Sequence, residues 1–385
     1  MSTATTTALT TATTVSDVVT ITNLADFNEM ERDWNNLVTT YNNCLFLRHE
    51  FLRVWFESFA PRERVQVFTG WSPEGRLVAA LPLVYQRGSL RGIPIHRMVS
   101  ASNEHSCRFD MIAENPAAAG EALFRSLAAR NDWDVLRIAD VPEGGQAWYL
   151  YRAAMAEGFP VGAWPSQRSP FLLLPSSEQE LQGRISAQLR SSARRKLRQM
   201  EKRAAAQIER IKTSDLATVL EDFFKLERSG WKGRNGTACD QHEPTRSFYT
   251  HLAELAAEKD WLSLFRLTLN GQTVAFHYGL TYDGVYLLPK LAFSEDFSEL
   301  SPGLVLMHEV IRDCISRQVR SIDLLGGDDD WKTRWTQDVL PHYWLYIFPK
   351  TFRGRMLHRI KFRWAALAKR ILSIGRGYSA ARLQS

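Results

Sequence analysis

The stretch WLSLFRLTLNGQTVAFHYGLTYDGVYLLPKLAF, residues 261–293, limits what this chain can fold into more than any other. It holds three strand-like apolar runs, 262–269, 273–281 and 285–293, separated by Asn270-Gly271 and Asp283-Gly284. Both dipeptides accept the positive φ of a two-residue hairpin turn, so the runs are predicted to pair as three consecutive antiparallel strands. The next segment, SELSPGLVLMHEVIRDCISRQ, reads as a helix. Ser301 can cap it, Pro302 suits its first position, and Leu304, Met307, Ile311 and Ile315 recur at helical spacing. Residues 319–325, VRSIDLL, then read as a buried strand. Three strands, a helix and a strand make an α/β unit.

A similar order occurs earlier. RVQVFTGWSPEGRLVAALPLVYQRG forms a hairpin around Ser-Pro-Glu-Gly, HRMVSAS and RFDMIAE read as short strands, and NPAAAGEALFRSLAAR is a helix capped by Asn115 with Pro116 first. Residues 133–140, WDVLRIAD, return as a strand. The chain therefore reads as two copies of one α/β unit without detectable identity. Between them SAQLRSSARRKLRQMEKRAAAQIERI is predicted as a helix with Leu189, Leu197, Met200 and Ile208 on one side. The expected division is a Thr-rich disordered tail at 1–17, domains at 18–175 and 176–349, and a basic tail at 350–385.

Length agrees with two domains: 385 residues, 45% hydrophobic and 11% aromatic, can fill two cores. Four scattered cysteines, Cys44, Cys107, Cys239 and Cys314, show neither paired nor zinc-ligand spacing and read as free thiols in a reducing cytoplasm. No run is apolar over the roughly 18 to 20 residues of a membrane span. The first fifteen residues hold eight threonines without a basic start or an apolar centre, unlike a signal peptide. Charge is uneven. The formal +6 arises from residues 350–385, which carry ten Lys and Arg and no Asp or Glu. There Met356, Ile360, Trp364, Leu367 and Ile371 form an apolar stripe among Arg359, Lys361, Arg363, Lys369 and Arg370. This pattern fits an amphipathic helix on an anionic membrane surface, or a helix docked on the body with a solvated basic face.

Chemistry is expected where the backbone offers free donors. The turn LSPGLVL starts a helix whose first acidic residue is Glu309, so its N–H groups and positive end are open to an anion, and Gly303 permits close approach. The corresponding turn of the first copy has Glu114 before its cap, Glu121 shortly after, and alanines at 117–119. It is less suited to phosphate.

The run from Trp231 through GQTVAFHYGL, YLLPKLAF, LSPGLVL and IDLLGGDDDWKTRW resembles the acetyltransferase domain of CelD-type (cellulose-biosynthesis-type) proteins, members of the GNAT acyl-CoA N-acyltransferase superfamily. These are related to Fem-type aminoacyltransferases, which hold two such folds in tandem. The resemblance covers roughly residues 185–345, with Trp331-Lys332 where relatives often have Tyr-Lys. It implies tandem GNAT-like folds, mixed and mostly antiparallel sheets flanked by helices, with acetyl-CoA or another acyl-CoA as co-substrate. The acyl-CoA pyrophosphate maps to Leu300, Ser301, Pro302, Gly303 and Leu304, although residues 297–304 offer a single glycine in place of the superfamily's usual Arg/Gln-x-x-Gly-x-Gly/Ala loop. By the same resemblance His277 is a candidate base, Asp323 a substrate contact or orienting group, and Lys332 a charge offsetting thioester or phosphate. Trp231, Lys232, Lys290 and Trp331 are candidates for substrate binding. In the first half Glu104, His105 and Asp110 of SNEHSCRFD are candidates for the acceptor side if the two halves meet.

The implied reaction is attack of an amine or hydroxyl on a thioester, the acceptor being a small molecule or a glycan precursor of bacterial exopolysaccharide or cell-envelope biosynthesis. Two other readings remain open. A Fem-type enzyme would take its donor from aminoacyl-tRNA, and residues 184–212 hold ten Lys and Arg against two Glu. Their helical spacing and few aromatics argue against nucleic acid. The second is a non-catalytic, membrane-associated partner acting through the tail. Three consecutive carboxylates, Asp328, Asp329 and Asp330, diverge and lack an accompanying His, so they are read as capping a short helix that carries Trp331, Lys332 and Trp335, not as a metal site.

Overall fold

The computed structural model of the protein describes residues 14–60, 64–212 and 215–362. The strands of the first half are β1 (Asp17–Ile21), β2 (Val65–Trp71), β3 (Leu77–Leu90), β4 (Ile93–Ser100), β5 (Ile112–Ala113), β6 (Val135–Pro142) and β7 (Val161–Leu173). Those of the second are β8 (Ala206–Arg210), β9 (Phe265–Leu269), β10 (Gln272–Tyr282), β11 (Val285–Phe293), β12 (Ser321–Asp323) and β13 (Val339–Ile347). Helices α1 (Leu24–Asn28), α2 (Glu31–Tyr41), α3 (His49–Phe59), α4 (Pro116–Ala128) and α5 (Ala147–Ala156) flank the first group. The second is flanked by α6 (Ala187–Arg203), α7 (Leu216–Ser229), α8 (Trp231–Arg234), α9 (Glu243–Glu258), α10 (Pro302–Ser316) and α11 (Asp330–Thr333).

All strands join one mixed sheet in the order β1-β2-β3-β4-β6-β13-β7-β12-β11-β10-β9-β8, with β5 on β3. The two halves repeat one pattern. In the first, β2, β3 and β4 pair antiparallel, α4 crosses over, and β6 lies parallel to β4. In the second, β9, β10 and β11 pair antiparallel, α10 crosses over, and β12 lies parallel to β11. Each unit is completed by a strand from the end of the chain's other half. β13 pairs antiparallel with β6, and the far end of β7 pairs antiparallel with β12. Since β7 also pairs with β13 through Val161–Ile347 to Pro170–Val339, it carries the sheet across the junction. The expected boundary at 175/176 therefore falls just past the shared strand, and β13, inside the expected second domain, lies in the first half's sheet.

The faces of the second sheet bury different partners. Phe223 of α7 packs at a tilt on Phe276 of β10 and Tyr249 of α9 meets Tyr278 of β10 edge-on, in a core that continues into the first half, where Phe51 of α3 meets Phe248 of α9 edge-on at 5.7 Å. On the opposite face Val305, Met307 and Ile311 of α10 pack with Phe265, Leu267, Tyr286 and Met200 of α6. The α7 and α9 side is thus the side covered by the first half.

Several sequence expectations shift. The turns at 270–271 and 283–284 and the helix start at Pro302 lie where they were expected, but the first hairpin strand begins at Phe265 and not at 262, where Leu262 forms only an isolated bridge to Leu280, and α6 stops at Arg203 with Ile208 in β8, whose pairing with β9 overrides helical spacing. The buried segment 319–325 contributes only three strand residues, and of RFDMIAE only Ile112–Ala113 is extended in a ladder. Ser16 and Asp17, expected in the disordered tail, hydrogen-bond and pair with Trp71. Residues 352–362 are helical and dock on the body through Leu357 and Phe362, against Tyr346 and Phe348. The rest of the basic tail, including Trp364, Leu367 and Ile371, lies outside the described residues, as do residues 1–13. Among the described residues no helix is long and apolar enough to cross a membrane.

Candidate active site

The site begins as a fork in the sheet. β11 and β12 run parallel for three residue pairs, Val285–Ser321, Tyr286–Ile322 and Leu287–Asp323, and then separate. On its other side β11 stays paired with β10, but the register shifts between Tyr278–Lys290 and Leu280–Leu287. The irregularity falls beside Pro289, which lacks the N–H needed for an ordinary ladder. From Leu288 to Phe293 one edge of β11 is therefore unpaired, and a cavity of about 730 Å³ wraps it, lined by every residue of that segment. Because consecutive strand residues face opposite ways, such a lining means the cavity passes from one face of the sheet to the other.

At the α10 end the cavity meets Ser301, Pro302, Gly303 and Leu304. Ser301 is left-handed at φ 53° and makes no side-chain cap bond, contrary to its expected role. A capping side chain works from an extended backbone, and the left-handed turn carries this hydroxyl away from the first-turn amides. Leu304 and Val305 donate back to the Ser301 carbonyl at 3.1 and 3.2 Å, and the Gly303 amide has no protein acceptor among the described residues. A Cβ on Gly303 would meet only the Phe293 ring, at 3.6 Å, so the approach to this amide is open. With no acid in the first turn of a fifteen-residue helix, this end suits an anion. Leu300, expected with this group, is buried in the core.

At the other end the first half contributes Glu104 and Cys107. Facing them are Glu227 of α7, Trp231 and Lys232 of α8, and Lys290 of β11. Glu227 sits on the apolar face of α7 with a fully buried carboxylate, which accepts from Lys232 Nζ and from the Cys239 amide, both at 2.8 Å. Burial opposes its ionisation, but the Lys232 charge and these bonds outweigh that and hold its pKa below the ordinary value. Lys232 also donates to the Leu291 carbonyl on the free edge of β11, at 2.8 Å. Glu104 is largely exposed, with the His105 ring 3.7 Å from its carboxylate. Burial first, and the Lys290 charge second, push His105 down to about 4. Its ring sits between Phe59, Thr245 and Tyr249.

The expected catalytic residues are displaced from their expected roles. His277 lines the cavity at 2% exposure with Nδ1 unpartnered, but burial pushes it down to about 3, too low for a base near neutrality. It enters the site as a neutral ring with a free nitrogen. Asp323 is not in the cavity lining. Its carboxylate accepts from Arg108 Nη2 at 2.6 Å, Ser169 Oγ at 3.2 Å and the Leu325 amide at 2.9 Å, and so binds the first half to the turn below the cavity. Arg108 also donates to His342 Nε2 at 3.3 Å. Lys332 does line the cavity, yet its ammonium is spent on the Leu325 and Gly327 carbonyls, at 2.7 and 2.8 Å, and on Asp329 at 3.2 Å. It pins a turn in which Leu325 and Gly326 are both left-handed. Asp110 lies elsewhere: it accepts from the Gln146 and Ala147 amides at the start of α5 and from Asn42, and burial raises it to about 6. Of the acidic triplet, Asp328 pairs with Arg168 and Asp329 with Lys332, without side-chain capping of α11. Trp331 and Trp335 reach the cavity from α11 and just beyond.

Sequence reasoning missed Arg108 and Glu227. Nothing local marks Arg108, whose partner is 215 positions away. Glu227 did leave a trace, as a carboxylate in register with Val219, Leu220, Phe223 and Phe224 on the buried stripe of α7. Among the described residues no group of three or more His, Cys, Asp or Glu is placed to hold a metal ion.

With this geometry in view, residues 187–333 match the family model of the acetyltransferase (GNAT) domain. Solved structures share the fold over most of the chain. FemX aligns with TM-score 0.55 and 11% identity over 86% of this chain and 97% of its own. L-PGS from Bacillus licheniformis aligns with TM-score 0.52 and 11% identity over 86% and 96%. A conserved protein of unknown function from Bacteroides thetaiotaomicron aligns with TM-score 0.52 and 14% identity over 86% and 100%. No curated protein matches the chain. The matched segment contains α6 through α11 and so the whole cavity wall except Glu104, Cys107, Arg334 and Trp335.

Proposed function

We propose that the protein is an acyl-CoA-dependent acyltransferase that transfers an acyl group, acetyl in the simplest case, to an amine or hydroxyl. The observation that carries this reading is the cavity through the β11–β12 fork, with the open α10 N-terminus at one mouth and the first half at the other. The Gly303 amide and the positive helix end suit the pyrophosphate, and the unpaired edge of β11 suits an extended amide-bearing arm. A bound acyl-CoA supplies a thioester carbonyl. The acceptor's nucleophile attacks that carbon, the C–S bond breaks, and the nucleophile's proton must be taken up. Three carboxylates line the cavity, and two are held by cations, Glu227 by Lys232 and Asp329 by Lys332. Glu104 remains as the proton acceptor, which makes the first half part of the active site. A sugar or polysaccharide-precursor acceptor rests on the resemblance to CelD-type proteins.

Titration calorimetry with acetyl-CoA tests the donor: saturable binding is expected, and failure to bind acetyl-CoA or any longer acyl-CoA would sink the reading. Glu104→Gln is expected to lower kcat about 100-fold with acetyl-CoA affinity retained. An unchanged kcat would remove Glu104 from the chemistry. A second reading is favoured by one feature: α6 packs beside the donor turn, with Lys196 donating to the Glu299 carbonyl, and exposes Arg195, Arg198 and Lys202. A polyanionic donor such as aminoacyl-tRNA would use that face. Salt-sensitive binding of charged tRNA, with no binding of acyl-CoA, would favour it.

A further inference from the structure

The cations around the cavity are not equivalent. Lys232 is neutralised by Glu227, Lys332 by Asp329 and two carbonyls, and Arg334 is exposed at the rim. Lys290 is different: it is half-buried in the wall, and among the described residues no carboxylate lies within ion-pair distance of it. Its ammonium lies over the face of the Tyr249 ring, 5.5 Å from Nζ to the centroid. Position adds to this. Lys290 is registered against Tyr278, on the α7 and α9 face of the sheet, the face covered by the first half. Its charge reaches Cys107 and His105 from the first half and Cys239 from the second, lowering the pKa of each against the larger effect of burial on the two thiols. An ammonium without a carboxylate partner among the described residues thus sits at the meeting of the halves, on the far side of the fork from the α10 N-terminus, in a cavity that also holds Glu104.

An uncompensated, partly desolvated ammonium is retained in such a wall at a cost unless a ligand supplies the counter-charge. Resting on the acyltransferase reading, we propose that the acceptor carries an oxyacid group, a carboxylate or a phosphate, and that Lys290 binds it at the end of the cavity opposite the donor turn. The site then sorts its substrates by charge. The donor's anion is held by backbone at α10, the acceptor's by Lys290, and the nucleophile is presented between them toward Glu104.

The test is binding of matched sugar probes, glucose 6-phosphate, glucuronate and glucose, by calorimetry with CoA held saturating so that the donor turn is filled. Wild-type protein is expected to bind at least one of the two anionic sugars about tenfold more tightly than glucose, with whichever anion is preferred identifying the group. Lys290→Met is expected to erase that preference, and Lys290→Arg to keep most of it, which separates charge from packing. Equal affinity of wild-type protein for all three probes, including none, would overturn the proposal, as would a preference that survives in Lys290→Met. Acetyl-CoA titrated separately reports on the donor. Protein that binds no acyl-CoA but shows a Lys290-dependent preference loses the acyltransferase reading and keeps the anion site.

Discussion

The starts of α4 and α10 occupy the same place in the two halves, each carrying a proline at its first position after a polar residue and each leading to a parallel strand. They differ in what they leave open. Asn115 is extended, and its side chain accepts from the Ala118 amide at 3.3 Å, so the first half closes its own helix end. Further along, Gly120 presses on the backbone of α5, where a Cβ would come within 2.7 Å of the Leu150 nitrogen. Ser301 instead turns left-handed and caps nothing, and Gly303 faces the cavity. One topology gives a closed helix end in one half and an open one in the other, and the change lies in a single cap and the backbone region it occupies.

The largest effect is expected where the halves are tied. Asp323→Ala leaves the Arg108 guanidinium without its carboxylate and frees the Leu325 amide, and should cost about 3–5 kcal/mol in urea unfolding. A loss under about 1 kcal/mol would show that the halves do not depend on that pair. Acid comes next. His277, His105 and His342 are held by burial at about 3, 4 and 4, so the unfolded chain takes up their protons first and stability falls as pH drops below the ordinary histidine value. Asp110, raised to about 6, works in the opposite direction, as a single proton against three. The net loss between pH 7.5 and pH 5 should be about 4 kcal/mol, and His277→Gln should lessen it. Stability independent of pH in this range would contradict the buried, neutral imidazoles. The smallest effects separate the two helix ends: Asn115→Ala should cost about 1 kcal/mol, whereas Ser301→Ala should cost almost nothing and Ser301→Gly should stabilise by about 1 kcal/mol, all read from thermal unfolding. Equal losses at Asn115 and Ser301 would mean that the two helix ends are alike.

How much of this was legible in the sequence follows from the range of each interaction. Asn270-Gly271, Asp283-Gly284 and Pro302 act within a few residues, and the turns and helix start they set are where they were expected. The repeat could be read as an order of elements, because order survives when identity does not. The strand exchange could not, since β13 meets β6 across some 200 positions and no local pattern encodes that partner. The open turn at residues 301–304 could be singled out because its chemistry is backbone chemistry, whereas Leu300 beside it is buried in the core. The catalytic side chains were assigned by type, and type does not disclose partners: Asp323 and Lys332 are saturated by groups distant in sequence or by carbonyls, and His277 is silenced by burial. Glu104, flagged only as a neighbour of His105 and Asp110, is the one carboxylate of that group that lines the cavity.

In the proposed function the second half, and not the first, holds the acyl donor. Acetyl-CoA affinity measured by calorimetry on two matched variants tests it most directly. Gly303→Glu and Ala117→Glu place the same carboxylate at the second position of each crossover helix, after Pro302 and after Pro116. Gly303→Glu is expected to lose about 100-fold or more in affinity and Ala117→Glu to change it no more than about twofold. Equal losses in both variants, or wild-type affinity in Gly303→Glu, would contradict this placement of the donor.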